Sequence, residues 1–326
     1  MKDGYGRTIE YMRVSVTDRC NLRCIYCMPD GCDKVPMSEI LTYEEIERIC
    51  KAAAGLGISK IKITGGEPLV RLGCTDLIRK IKAIDDIDEV TLTTNGQNLS
   101  EYIEELKSIG IDGINISMDT CNADRYKVIT GGGDLSKTIN AIELAKNAGI
   151  KTKVNCVLQA GFNENEIVSM AELAFDKQID VRFIELMPMG AGDADKVVSN
   201  TEVLKLLKEK WPDIGHDPSV HGNGPAVYYM RPGYAGSIGF ISAMHSKFCT
   251  ACNRIRLTSQ GQIKPCLCYA EGVDLKPYLE GSDEELKNAI KKSIESKPEG
   301  HCFNETADKH SVAGTKDRRL MSQIGG

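Results

Sequence analysis

Three cysteines, Cys20, Cys24 and Cys27, have three and then two residues between them and stand just after a short apolar run (Arg13 to Val16) that reads as a strand. Thiolates at this spacing can converge on one inorganic centre. Four would close a tetrahedral zinc site or cap every iron of a four-iron cluster; three leave one metal position open for chemistry. A zinc loop completed by a distant ligand is the alternative. A second group, Cys249, Cys252 and Cys266, has two and then thirteen residues between its members. It reads either as a zinc ribbon, with Cys268 an awkwardly close fourth ligand, or as a second cluster with an open iron. Asn253-Arg254-Ile255-Arg256 lies inside this group. Two arginines one residue apart share a side of an extended chain, and guanidinium forks suit phosphate, although a solvated surface pair has the same pattern. Gly65-Gly66-Glu67-Pro68 closes a further apolar run. Paired glycines there either let backbone approach a ligand closely or make a tight turn.

The elements that must position these groups alternate. Strand-like runs at Arg13 to Val16, Ile58 to Thr64, Val90 to Thr94, Ile111 to Met118, Thr152 to Leu158 and Val181 to Leu186 are separated by amphipathic helical runs. This is the pattern of repeated βα units on a parallel sheet. Thr42-Tyr43-Glu44-Glu45 is a capping box that opens the first helix, which Gly55 and Gly57 close. Further helices end near Gly110 and Gly149, and another lies within Glu164 to Phe175. About six units predict an α/β fold and favour a partial or full barrel, although the pattern alone does not separate a barrel from an open sheet. Along these strands Arg13, Ser15, Thr17, Lys60, Lys62, Thr64, Thr91, Thr93, Asn95, Asn115, Ser117, Lys151, Lys153 and Asn155 fall on one face. Val14, Val16, Ile61, Ile63, Val90, Leu92, Ile114, Ile116, Val154 and Cys156 fall on the other. If the apolar face meets the helices, the lumen is polar and cationic, which costs stability unless a ligand fills it. The expectation is a cavity for an anion; a solvent-facing sheet would show the same alternation.

The chain of 326 residues carries a formal net charge of −5, which argues against nonspecific binding to nucleic acid or membranes. It shows no signal-type segment and no long apolar run, so a cytoplasmic protein is expected. Thirteen cysteines are many for such a chain. Cys32, Cys50, Cys74, Cys121, Cys156 and Cys302 are scattered and read as core or loop thiols. Beyond Leu186 a glycine-containing loop (Met187 to Asp195) leads to a helix over Thr201 to Lys210. An irregular or antiparallel stretch follows from Pro212 to Gly239, then the second cysteine group, a charged helix from about Asp283 to Ser296, and a basic tail ending in Gly325-Gly326. The division expected is 1–190 for the barrel and 191–326 for a C-terminal region that bears the second cluster and binds substrate.

Cys20, Cys24 and Cys27, with Tyr26 before the last cysteine and Gly-Gly-Glu-Pro one βα unit later, resemble the radical S-adenosylmethionine superfamily. The resemblance implies an α/β fold of partial (β/α)6 TIM-like barrel type, and an open iron that chelates the amino and carboxylate groups of S-adenosylmethionine. It places Tyr26, Gly65, Gly66, Glu67, Asn115, Ser117 and Met187 at the cofactor. The second cysteine group, the Arg-x-Arg pair and the terminal Gly-Gly narrow this: from Arg13 onward the chain resembles the GTP 3′,8-cyclase family of molybdopterin biosynthesis. That implies two four-iron four-sulfur (4Fe–4S) clusters, with guanine on the second. Arg13, Lys62, Thr93, Lys153, Arg254 and Arg256 would hold the triphosphate, and the Gly325-Gly326 tail would reach into the cavity. Arg318 and Arg319 are further candidate contacts, and Cys268, beside a ligand position, departs from the pattern. The implied reaction takes hydrogen from C3′ of GTP, joins C3′ to C8 of guanine, and gives (8S)-3′,8-cyclo-7,8-dihydroguanosine 5′-triphosphate. No general base is implied. Implied partners are cyclic pyranopterin monophosphate synthase as the next enzyme and flavodoxin or ferredoxin as electron donor, with the chain a monomer or homodimer. Two other readings compete. A peptide maturase with an auxiliary cluster would lack the Arg-x-Arg and Gly-Gly features; an iron–sulfur electron carrier would need full cluster ligation.

Overall fold

The computed structural model describes residues 1–31, 35–245, 248–303 and 314–325. The chain runs β1 (Tyr11–Ser15), α1 (Tyr43–Ala54), β2 (Lys60–Thr64), α2 (Cys74–Lys82), β3 (Glu89–Thr94), α3 (Ile103–Ile109), β4 (Gly113–Ser117), α4 (Ala123–Thr130), α5 (Leu135–Asn147), β5 (Thr152–Leu158), α6 (Ile167–Lys177) and β6 (Asp180–Glu185). There follow α7 (Asn200–Lys210), β7 (Gly215–Asp217), β8 (Val227–Met230), β9 (Ser237–Ile241), β10 (Arg254–Leu257), β11 (Gln262–Lys264), β12 (Val273–Asp274), α8 (Lys276–Leu279), α9 (Asp283–Glu295) and α10 (Met321–Ile324). Local chemistry sets many of these boundaries. Thr42 and Glu45 form the expected reciprocal cap on α1, and Ser282 with Glu285 does the same for α9. Gly110, at φ 74°, stops α3 in a left-handed turn that a side chain would resist.

The strands form one sheet in the order β12-β11-β10-β1-β2-β3-β4-β5-β6-β9-β8-β7. From β10 to β9 every neighbour is parallel; antiparallel strands extend both edges. The six units expected from the sequence are therefore a partial barrel, completed on both sides by the C-terminal region. β9 joins β6 and β10 joins β1, two pairings for which the sequence carries no local sign. α4, a short helix after β4, was also not anticipated.

The alternation fixes which face is which. Val14, Ile61, Ile63, Val90, Leu92, Ile114, Ile116, Val154 and Cys156 are buried in the main apolar core with the helices. Arg13, Lys62, Thr91, Thr93, Asn115, Lys153 and Asn155 line the cavity on the concave side. That polar face is the expected lumen, not a solvent-facing sheet. No helix among the described residues is long and apolar enough to cross a membrane.

Candidate active site

The cavity has a volume of about 580 Å³ and is walled by both cysteine groups and the polar strand faces. Strand register sets their separation. β10 begins with Arg254 opposite Tyr11, the first residue of β1, so Cys252 lies just before the N-terminal end of the parallel strands. Cys20 follows the C-terminal end of β1. The intervening residues, at about 3.3 Å each, put on the order of 15–20 Å of strand between the two groups. A nucleotide-sized space is thus bounded by thiols at each end.

At the first end, the glycines of the β2 turn serve the cysteine loop directly. A Cβ on Gly66 would fall 2.4 Å from the Arg19 carbonyl oxygen, and one on Gly65 2.8 Å from that of Thr17. Gly66 N–H donates to Thr17 (2.7 Å) and Glu67 N–H to Arg19 (2.8 Å), which pins the chain entering Cys20. The Glu67 carboxylate is occupied too: it accepts from Thr94 Oγ1 (2.7 Å) and from the N–H groups of Asn95 (2.7 Å) and Leu69 (3.1 Å). Burial pushes its carboxyl up to about 7 despite those bonds. Tyr26 donates its hydroxyl to Asp119 Oδ2 (2.8 Å), and Asp119 Oδ1 accepts from Val157 N–H (2.8 Å). Burial likewise pushes Asp119 up to about 6. Asn115, Ser117 and Met187 also face this cavity.

Between the ends runs a wall of cations. Arg13 is in register with Lys62 on one side and Arg256 on the other, and Arg254 shares a row with Tyr11 and Lys60. Across the lumen stand Lys153 and Arg182, the latter donating Nε to Asn155 Oδ1 at 2.8 Å. These charges oppose one another. Burial and then Arg182 and Arg13 push Lys62 well below its ordinary value. Burial and Arg182 lower Lys153 to about 8, against the partial support of Asp180. Burial, Arg13 and Arg254 also press on the charge of Arg256. Like charges collected in a low-dielectric cleft are costly unless an anion joins them. Thr93 Oγ1 and Ser322 Oγ, both buried, find no hydrogen-bond partner among the described residues, and Ser322 lines the cavity beside the cations. Buried polar atoms left open in this way are what a polar ligand would satisfy.

At the second end, Cys249, Cys252 and Cys266 are each half-buried. Lys297 Nζ donates to the carbonyls of Arg254 (2.8 Å) and Pro265 (2.6 Å), tying together the segments that carry Cys252 and Cys266. Arg7 does the same from the N-terminal segment, donating to the carbonyls of Cys249 (2.9 Å), Glu299 (2.8 Å) and Pro298 (2.6 Å). Burial raises the Cys252 thiol, but the charges of Lys297 and Arg254 outweigh it and bring the thiol to about 7. Met321 and Ser322 of the tail line the cavity, and Gly325 reaches Ser15 and Thr64 at the C-terminal ends of β1 and β2. The Gly325 carbonyl accepts from Arg256 Nη1 at 2.6 Å. Gly326 lies outside the described residues. Arg318 is exposed and Arg319 pairs with Asp317 at 2.8 Å, and neither lines the cavity.

Residues 14–174 match the Radical SAM superfamily and residues 179–303 match Molybdenum Cofactor Synthesis C. Two curated relatives, from Clostridium perfringens (strain SM101 / Type A) and Pelotomaculum thermopropionicum, are each 45% identical over 100% of both chains, and both are named GTP 3′,8-cyclase. The chain belongs to the GTP 3′,8-cyclase family. Among solved structures, Streptococcus suis SuiB bound to S-adenosylmethionine superposes with a TM-score of 0.67 at 15% identity, over 95% of this chain and 76% of that one. Native anSMEcpe with bound AdoMet gives 0.58 at 18%, over 88% and 83%. At such identities these two speak for the fold alone.

The cofactors of this radical SAM family are S-adenosylmethionine and 4Fe–4S clusters, and the donor sets fit them. No three His, Cys, Asp or Glu side chains among the described residues close on a single-ion position, so the fit rests on the thiols themselves. Cys24 is raised by burial, then by the negative charges of Asp119, Cys27 and Cys20. Cys249 is raised by burial and by Cys266 and Cys252. Each trio is therefore near enough to repel as thiolates, and iron would relieve that repulsion. Lys297→Met is expected to leave two buried carbonyls without a donor, at a cost of about 2–3 kcal/mol. It also removes the positive charge that acts most strongly on the Cys252 thiol. The second cluster's midpoint potential should fall while the first cluster's stays put, a split that spectroelectrochemical EPR would resolve; equal potentials in the variant would deny Lys297 this role.

Sequence reasoning missed Arg182, Asp119 and Lys297. Arg182 was detectable, since it continues the period of two between buried Val181 and Phe183. Asp119 and Lys297 lie beyond the ends of regular elements, where no period points to them.

Proposed function

We propose that this cavity performs the family's reaction, joining C3′ of GTP to C8 of its guanine as the first step of molybdopterin biosynthesis. The observation that carries this is the row Arg256–Arg13–Lys62 running between two three-cysteine groups in one cavity. When bound, the first cluster with S-adenosylmethionine supplies a 5′-deoxyadenosyl radical for the C3′ hydrogen, and the second cluster offers an open iron to guanine. Cys20, Cys24 and Cys27 hold the first cluster; Cys249, Cys252 and Cys266 hold the second. Arg13, Lys62, Lys153, Arg254 and Arg256 bind the triphosphate with Arg182, and Thr93 Oγ1 offers a further hydrogen bond. Tyr26, oriented by Asp119, packs on the cofactor, with Asn115, Ser117 and Met187 around it. Gly65, Gly66 and Glu67 hold the cysteine loop and line the cavity where the cofactor's ammonium group would lie. Gly325 contributes to the substrate site through its carbonyl, which accepts from Arg256; Gly326, expected beside it, lies outside the described residues. The protein's contribution is placement of C3′ within reach of the radical.

By the same reading the product passes to cyclic pyranopterin monophosphate synthase, a flavodoxin or ferredoxin delivers electrons, and the chain works in the cytoplasm as a monomer or homodimer. Residues 1–190 would carry the radical chemistry, and 191–326 the second cluster and the Arg254 and Arg256 share of the substrate grip. The deciding experiment supplies GTP deuterated at C3′ to anaerobically reconstituted, reduced protein. Deuterium in 5′-deoxyadenosine is expected. Cofactor cleavage without transfer would keep the superfamily and overturn the substrate.

A further inference from the structure

Six cysteines are assigned to the two clusters; Cys32 lies outside the described residues, and Cys50, Cys74, Cys121 and Cys156 sit singly in or against the α/β core. Cys268 and Cys302 do not. Their sulfurs lie 2.6 Å apart, and Cys302 N–H donates to Cys268 Sγ at 3.1 Å. Both are buried, at 0% and 4% exposure, in a small apolar cluster with Met189, Tyr269, Phe303 and Ile324. The pair sits where three segments meet. Cys268 is two residues beyond the ligand Cys266, and Cys302 follows His301, whose backbone hydrogen-bonds the Cys249 thiol. The Cys268 carbonyl accepts from Asp317 N–H at 2.7 Å, the start of the tail that seats Gly325.

We propose that Cys268 and Cys302 are a reversible dithiol–disulfide pair that locks the second-cluster loop to the segment preceding the tail. Neither thiol belongs to a ligand trio, and bridging leaves Cys249, Cys252 and Cys266 for iron while removing Cys268 as a competing ligand. The chemistry balances with a small-molecule disulfide as oxidant. The Cys302 thiolate attacks it, releasing one small thiolate and forming a mixed disulfide. Cys268 then displaces the second small thiolate and closes the Cys268–Cys302 bond. Two protein protons are lost, and the oxidant takes up two electrons. A small dithiol reverses the sequence. Because the bridge would span 34 positions of chain, it would restrict the unfolded loop that carries α8 and α9, just beyond the ligand Cys266, and so stabilise this end of the cavity.

The test uses the reconstituted holoprotein, equilibrated anaerobically in glutathione buffers from fully reduced to fully oxidised. Samples are quenched in acid with N-ethylmaleimide and mapped by peptide mass spectrometry. The expected result is a linked peptide pair containing Cys268 and Cys302 that rises with oxidation, while Cys266 is alkylated and iron content is unchanged. Cys302→Ser should abolish the linked species and leave the iron content as before. Cys268 and Cys302 both alkylated at every buffer ratio would overturn the proposal. So would a link from either residue to Cys266, Cys252 or Cys249, which would mark the pair as an accident of cluster loss.

Discussion

GTP should bind more weakly as pH rises above about 8, by up to tenfold per pH unit, and should take up protons as it binds. The argument starts from Lys153, which burial and Arg182 hold at about 8 in the free protein. A triphosphate beside it favours the charged ammonium and raises that value again. Between the free and bound values, binding requires a proton from solvent, so affinity falls with the slope of one proton per pH unit. Lys62, held well below its ordinary value by burial and then by Arg182 and Arg13, adds uptake of the same sign. For the unliganded chain the sign is opposite. A lysine with a depressed folded pKa binds its proton better when unfolded, so the Lys153 contribution to stability rises between about pH 8 and 10.5. Isothermal titration in buffers of differing ionisation enthalpy would count the protons directly. In Lys153→Met the slope above pH 8 should flatten, and affinity at pH 7.5 should drop by roughly 10- to 100-fold, the loss of one charge-assisted hydrogen bond of about 1.5–3 kcal/mol. A variant that keeps the slope would place the triphosphate elsewhere.

The wall that makes this argument possible was largely legible in the sequence, because a strand's period of two survives tertiary folding. Lys62 between Ile61 and Ile63, or Lys153 beside Val154, cannot change face without burying a charge in the helix layer. The cysteine spacings were legible for a similar reason: ligands to one cluster must be close in the chain or held by a rigid turn. What the sequence hid is contact between distant segments. β10 lies beside β1 although some 240 positions separate Tyr11 from Arg254, and that pairing turns an isolated Arg-x-Arg into a continuation of the Arg13–Lys62 row. The Gly-Gly turn shows a subtler limit. Its glycines read as room for a ligand, whereas the structure fills that room with the backbone of Thr17 to Arg19. A missing side chain says that something comes close, not what.

Gly325→Ala should depress turnover by more than a hundredfold while cluster content, folding and the basal cleavage of S-adenosylmethionine stay near those of the parent. Gly325 has φ 89°, a conformation an L side chain adopts only at about 1–2 kcal/mol. Its Cβ would stand 2.7 Å from Ser15 Cβ and 3.2 Å from Thr64 Oγ1, on two neighbouring strands that have no room to move apart. Such overpacking adds about 1–3 kcal/mol. Together these give roughly 3 kcal/mol against the seated tail, which corresponds to a factor of more than a hundred in its occupancy. The tail would then withdraw, and Arg256 would lose the carbonyl that holds it at 2.6 Å. An unseated tail leaves both cysteine trios untouched, so the loss should appear in cyclised product and in its ratio to 5′-deoxyadenosine, not in iron or cofactor binding. Truncation before Met321 should give the same phenotype, because it removes the same contact without adding a side chain. If Gly325→Ala turned over normally, the seated conformation would not be the working one. If cleavage of S-adenosylmethionine fell in step with cyclisation, the tail would act on the radical's formation, and Ser15 and Thr64, at the C-terminal ends of β1 and β2 that lead to the first cysteine loop and its Gly-Gly clamp, would be the route by which it does so.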